Sequence, residues 1–197
     1  MVLKSAVLLL FVSAVSFVSA TSVLDADEQA VNGEGLAAWA KIYEIVSHPR
    51  CANCHVADGR PMWSGPSYGE ARVHGMNVGG DPNLLFGNVG MLCSTCHMAE
   101  NSSAYHGPPG AEVWHLPPAD MAWWDKSSSH ICAQLKDPAR NGNRSLEDIE
   151  THIREDALVA WGWAPGPGRE PAPYSAAQAA SFVADWAANG APCPVSE

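Results

Sequence analysis

Residues 51–55 read Cys51-Ala-Asn-Cys54-His55 and residues 93–97 read Cys93-Ser-Thr-Cys96-His97. Both have the C-x-x-C-H form of c-type haem attachment. The order of residues follows from the chemistry: two thiols add across the haem vinyl groups, and the next residue offers an imidazole to the iron. With this composition, two chance occurrences in one chain have a probability of roughly a few in 10⁵. A zinc ribbon also pairs two C-x-x-C units, but usually about 15–20 residues apart and without a His after each pair. Here 38 residues separate Cys54 from Cys93. A thioredoxin-like redox pair needs one C-x-x-C beside a βαβ pattern, and the chain has none. The expectation is two haem c groups, held by Cys51, Cys54, Cys93 and Cys96, with His55 and His97 as proximal ligands.

The two motifs start 42 residues apart, too close for each to carry a full domain of its own. The haems are therefore expected to share one core, with edges close enough for electron exchange. Each iron also needs a decision on its second face. A histidine there lowers the potential, a methionine raises it, and an open face permits catalysis. His74, in the loop between the motifs, and His115, in the rigid stretch Trp114-His-Leu-Pro-Pro118, are the preferred distal ligands. Met76, Met121 and His152 are their rivals. His48, His106 and His130 read as loop or solvated histidines. Cys132 and Cys193 remain, and in an oxidising compartment they form the one available intramolecular disulfide, the alternative being two buried thiols.

Outward from the motifs, residues 1–20 (MVLKSAVLLLFVSAVSFVSA) carry one Lys, an uncharged run and a small-residue ending, the pattern of a signal peptide cleaved near Ala20. A retained membrane anchor is the alternative. Export places the protein in the periplasm or outside the cell. The whole chain holds 11 basic and 21 acidic residues, a net charge of −10; loss of Lys4 leaves 10 against 21, or −11. That balance excludes a nucleic-acid groove and a polybasic membrane patch. It suits a redox partner with a basic docking face.

The fold class is expected to be mainly α with extensive loops. Residues 21–33 read as a flexible leader, and 34–197 as one di-haem domain. An amphipathic helix over 34–47 has Leu36, Trp39, Tyr43 and Val46 on its apolar side. Residues 56–92 read as loop with one turn of helix. Short helices follow after Ser127 and from a Ser145/Asp148 capping box to about Trp161. Residues 164–173 read as a stiff exposed linker, before a last helix from Ser175 to Asn189 that stops at Gly190. The eight Trp are expected to pack on haem faces or in ordinary core.

Pro49-Arg-Cys-Ala-Asn-Cys-His55 after an amphipathic helix looks like the opening of a cytochrome c domain. Asp185-Trp-Ala-Ala-Asn-Gly-Ala-Pro-Cys-Pro194 resembles the terminal helix and exit of such domains. The blocks His74-Gly-Met-Asn-Val78, Trp114-His-Leu-Pro-Pro118, Gln134-Leu-Lys-Asp-Pro138, Arg140-Asn-Gly-Asn-Arg144 and Trp161-Gly-Trp163 are similar to a family of small secreted proteins called "isoquinoline 1-oxidoreductase subunit". The resemblance covers nearly the whole mature chain. It implies cytochrome c-like helices around the haems and an electron-accepting role beside a dehydrogenase. The chain has no molybdenum, flavin or nicotinamide motif of its own. An electron carrier is the leading function; a small di-haem peroxidase-like enzyme and a polymerising cytochrome for long-range transfer are the alternatives.

Overall fold

A computed structural model describes residues 21–76, 78–79, 87–88 and 90–195. The signal peptide read over residues 1–20 lies outside the described residues. The protein is mainly helical. Helix α1 (Thr21–Val46) leads directly to the short α2 (Pro49–Ala52). Two small antiparallel pairs follow, β1 (Met62–Trp63) with β2 (Arg72–Val73) and β3 (Gly87–Asn88) with β4 (Met91–Leu92). Then come α3 (Ser128–Leu135), α4 (Leu146–Glu155), α5 (Ala157–Ala160) and α6 (Ala176–Ala188). Among the described residues no helix is long and apolar enough to cross a membrane.

Helix α6 packs on both α1 and α4. Its alanine-rich face, with Ala179 and Ala180 buried beside Val183 and Trp186, lets its neighbours come close. Ala38, Trp39, Ile42 and Val46 of α1 meet Ile131, Cys132, Leu135, Ile149, Val183 and Trp186 in one core. Each such large side chain contributes about 1.5–3 kcal/mol by leaving water. Trp39 and Trp186 lie 5.0 Å apart, and their indole N–H groups donate to Ser128 Oγ and the Pro192 carbonyl. The Cys132–Cys193 disulfide is present, joining α3 to the segment after α6 across 61 residues. Closing a loop of that length stabilises the fold by about 4 kcal/mol.

Several expectations hold in detail. Ser127 and Ser145 cap α3 and α4, the second through a full capping box with Asp148. Gly190, at φ +79°, ends the last helix turn. Others need correction. The helix expected over 34–47 already begins at Thr21, since the Ala, Glu, Gln and Leu residues of 21–33 favour helix and nothing in that stretch forbids one. Leu36 is exposed, because the buried stripe runs through Ala38, Trp39 and Ile42 instead. The helix drawn from Ser145 to Trp161 is two: Asp156 turns out of helical geometry and recaps α5 through the Leu158 and Val159 N–H groups. The 56–92 loop holds the two strand pairs, too short to show a period of two.

The stretch 164–173 is not an exposed linker. Pro165 and Ala172 are buried, and the Arg169 guanidinium donates to Tyr68 Oη and to the carbonyls of His106 and Pro165. Side-chain bonds across the fold, not composition, decide where this segment lies.

Candidate functional site

Each C-x-x-C-H motif is a single helical turn that ends by projecting its histidine. At the first, α2 begins at Pro49, suited to an opening turn. His48 caps it, Nδ1 accepting from the Arg50 N–H at 3.2 Å. The Cys54 and His55 N–H groups return to the Cys51 carbonyl at 3.2 and 3.3 Å. At the second, a 3₁₀ turn over Cys93–Thr95 does the same, with the Cys96 and His97 N–H groups on the Cys93 carbonyl at 3.1 and 2.9 Å.

The two imidazoles are held alike. His55 Nδ1 donates to the Met121 carbonyl at 2.8 Å, and its ring stacks on Trp123 with centroids 3.4 Å apart and planes 2° from parallel. His97 Nδ1 donates to the Pro109 carbonyl at 2.8 Å, and its ring stacks on Trp114 at 4.5 Å and 7°. A carbonyl can only accept, so each Nδ1 carries the proton and each Nε2 keeps a lone pair. Burial keeps both rings neutral. It pushes His55 down to about 3 against the opposing Met121 bond, with nearby His152 adding to the fall. His97 is lowered by burial first, then by His74 and Arg169, again against its carbonyl bond.

Burial, then the neighbouring Cys54, pushes the Cys51 thiol up to about 12; burial, with Cys93 also near, pushes Cys54 up to about 11. Burial raises Cys93 too. A redox-active C-x-x-C pair lowers one thiol instead. Cys51, Cys54, Cys93 and Cys96 are not joined in disulfides.

The chain brings part of both motifs to one cavity of about 270 Å³, lined by Cys54, Cys93, Cys96, His97 and His74. His74 is positioned by its N–H on the Pro61 carbonyl at 2.7 Å and its Nδ1 on the Gly75 carbonyl at 2.9 Å. Its ring lies 6.2 Å from that of His97. Met76 is at the same cavity but 67 % exposed, with φ +65°.

The other candidates lie toward the first motif. His152 is close enough to both His55 and His115 for their charges to interact. His152 Nδ1 pairs with Asp156 at 3.3 Å, and His115 Nδ1 bonds the Leu116 carbonyl at 2.9 Å. Met121 serves through its carbonyl, on the Nδ1 side of His55, while its methyl group reaches the Gly142 turn. His48, His106 and His130 are engaged at the α2 cap, the Gly168 carbonyl and Arg140.

Sequence reading missed the supports. Two Trp lie against imidazoles. Trp123 Nε1 donates to Gln134 Oε1 at 2.7 Å, and the fully buried Gln134 donates in turn to the Arg140 carbonyl. Arg50, beside the first motif, and Arg169 also line the cavity. A lone charge adjoining a motif and another inside a Pro/Gly stretch were the available signals.

Among the described residues no group of three or more His, Cys, Asp or Glu side chains could hold a metal ion. A haem iron does not require one, since the porphyrin supplies four ligands and the protein one or two. No protein-family model, curated protein or solved structure matches the chain.

Proposed function

We propose that this chain is an exported di-haem c-type cytochrome that carries electrons between redox partners, with cytochrome c-like helices α1 and α6 around its haem region. The observation that carries this reading is the matched posture of His55 and His97. Each donates Nδ1–H to a carbonyl, lies flat on a Trp and keeps Nε2 as an acceptor, the arrangement that orients a metal-binding imidazole and sets its basicity. Cys51 and Cys54 would hold one haem, Cys93 and Cys96 the other. When bound, the haems supply one-electron oxidation and reduction.

His74 would be the distal ligand facing His97. The two side chains line one cavity, and their rings lie 6.2 Å apart. The first iron would draw its second ligand from His115 or His152. Cys54 and Cys93 line one cavity, which supports close haems. Exposed Met76, Leu92 and Met98 around the second motif make that end the port to a partner, and the −11 charge favours a basic partner face. Such a partner includes a dehydrogenase whose electrons this subunit accepts. His74 opposite His97 speaks for transfer over peroxidase chemistry at that iron.

Peptide mass mapping of the exported protein tests the reading. Two haem-bearing peptides are expected, one with Cys51 and Cys54 and one with Cys93 and Cys96. Four unmodified cysteines would refute it.

A further inference from the structure

The cavity beside the second motif holds positive charge and N–H groups that haem attachment and iron ligation leave unused. Arg50 is buried, its side chain 2 % exposed. One Nη donates to the Ser64 carbonyl at 3.2 Å and to Glu170 Oε1 at 3.3 Å. Gly65 makes room for that pair: at φ +123° it adopts backbone that side chains avoid, and a Cβ there would collide with the Glu170 carboxylate. Arg50 Nε nevertheless has no acceptor, and neither does the buried indole N–H of Trp161.

The two groups are neighbours. The Arg50 guanidinium carbon lies 5.3 Å from the centroid of the Trp161 ring, and that of Arg169 lies 5.9 Å from it. All three side chains line the cavity that Cys54 shares with Cys93, Cys96 and His97, and Cys93 packs against the cluster that contains Trp161. Leaving a buried donor without an acceptor is costly, so two adjoining ones require an acceptor. The charge balance says what kind. Glu170 offsets Arg50, while the N–H groups of Arg169 go to neutral oxygens, the Tyr68 hydroxyl and the His106 and Pro165 carbonyls. Among the described residues Arg169 has no carboxylate partner, so one positive charge is left over beside two free donors. The acceptor that fits is a carboxylate.

We propose that Arg50, Trp161 and Arg169 form a carboxylate cradle that receives a propionate of the haem attached at Cys93 and Cys96. This rests on the di-haem reading and adds to it a site that distinguishes the two haems. A propionate bonded by these donors has its negative charge offset, which favours the reduced iron. The cradle therefore raises the potential of one haem and not the other. A soluble carboxylate is the other source of the same chemistry.

The test uses holoprotein whose propionate carboxyls carry ¹³C, with W161F and R50K, both of which keep the net charge. W161F also keeps an aromatic ring in the packing. Haem content is counted first in each protein. With two haems bound, both variants are expected to lower one of the two midpoint potentials and leave the other in place. They are also expected to shift the labelled carboxylate band in infrared redox-difference spectra, which a merely structural role would leave alone. Unchanged potentials and an unchanged band in W161F and R50K, each with two haems, would overturn the cradle and leave the di-haem reading intact. A wild-type potential that moves on adding acetate, with the labelled band unaffected by either variant, would overturn it in favour of a soluble carboxylate. A wild-type protein without haem would instead sink the reading beneath it.

Discussion

The two C-x-x-C-H turns are the same five-residue device set in different surroundings. The first is fixed from below by the helical core: α2 continues from α1, the His55 carbonyl accepts from the Trp123 and Trp124 N–H groups, and Trp123 is held by the fully buried Gln134 of α3. The second is fixed by loops. Its chain returns through the Ala111 N–H on the Met98 carbonyl to bring Pro109 under His97, and its packing is a small cluster of Ala111, Trp114 and Trp161. Identical motifs thus receive the same histidine posture by unrelated means. On the di-haem reading, the shared posture would serve ligation while the differing surroundings would set two potentials.

The strongest way to break this comparison is to delete one device. Cys93→Ser with Cys96→Ser should leave one haem of the two and keep the far-ultraviolet helical signal, because the helical core does not pass through the second motif. Loss of both haems, or of the helical signal, would mean the two sites are not separately built. A lesser change sharpens it further. His74→Ala should turn one of two low-spin haems high-spin; an unaltered spectrum would remove His74 from the iron.

Gln134→Ala should act on the first site alone. It strands the Trp123 N–H and the Arg140 carbonyl, for a loss of about 2–4 kcal/mol in chemical denaturation. A change under about 0.5 kcal/mol would show that Gln134 is no strut.

Glu170→Gln acts on Arg50, which reaches from the first motif into the shared cavity, and should cost less, about 1–3 kcal/mol at neutral pH, since it leaves Arg50 buried beside a neutral amide but Glu170 is itself partly solvated. Burial opposes ionisation of Glu170, yet its own backbone N–H, Arg50 and Ser67 outweigh that and hold the carboxyl below its ordinary value. A carboxylate lowered in the folded state adds stability above its unfolded pKa and loses it as pH falls through the folded value. Wild-type protein should accordingly lose its advantage over Glu170→Gln as acid is added below about pH 4.5. A gap between the two that stays constant down to pH 3 would contradict the pairing.

Local chemistry made much of this legible before any fold was known. The motifs, the Ser127 and Ser145 caps, the Gly190 stop and the Cys132–Cys193 bridge each depend on a few adjacent residues or on elimination. What stayed hidden depends on convergence. Arg50 and Glu170 are 120 residues apart, and no local pattern announces that they meet. The segment 164–173 misled for the same reason: Pro and Gly describe a stiff chain, whereas Arg169 and Glu170 decide where it is tied. Helix α1 could be read only where apolar residues recur at helical spacing, from residue 34 onward; the small and polar residues 21–33 carry no such period. That His74 comes to the cavity of His97 could not be read from the sequence either, because the two meet only through the fold.

A spectroelectrochemical titration of the purified protein tests the central claim most directly. Two haems per chain, titrating as two separate one-electron low-spin waves, are predicted. A single wave from one haem per chain, or no haem absorbance at all, would contradict the account.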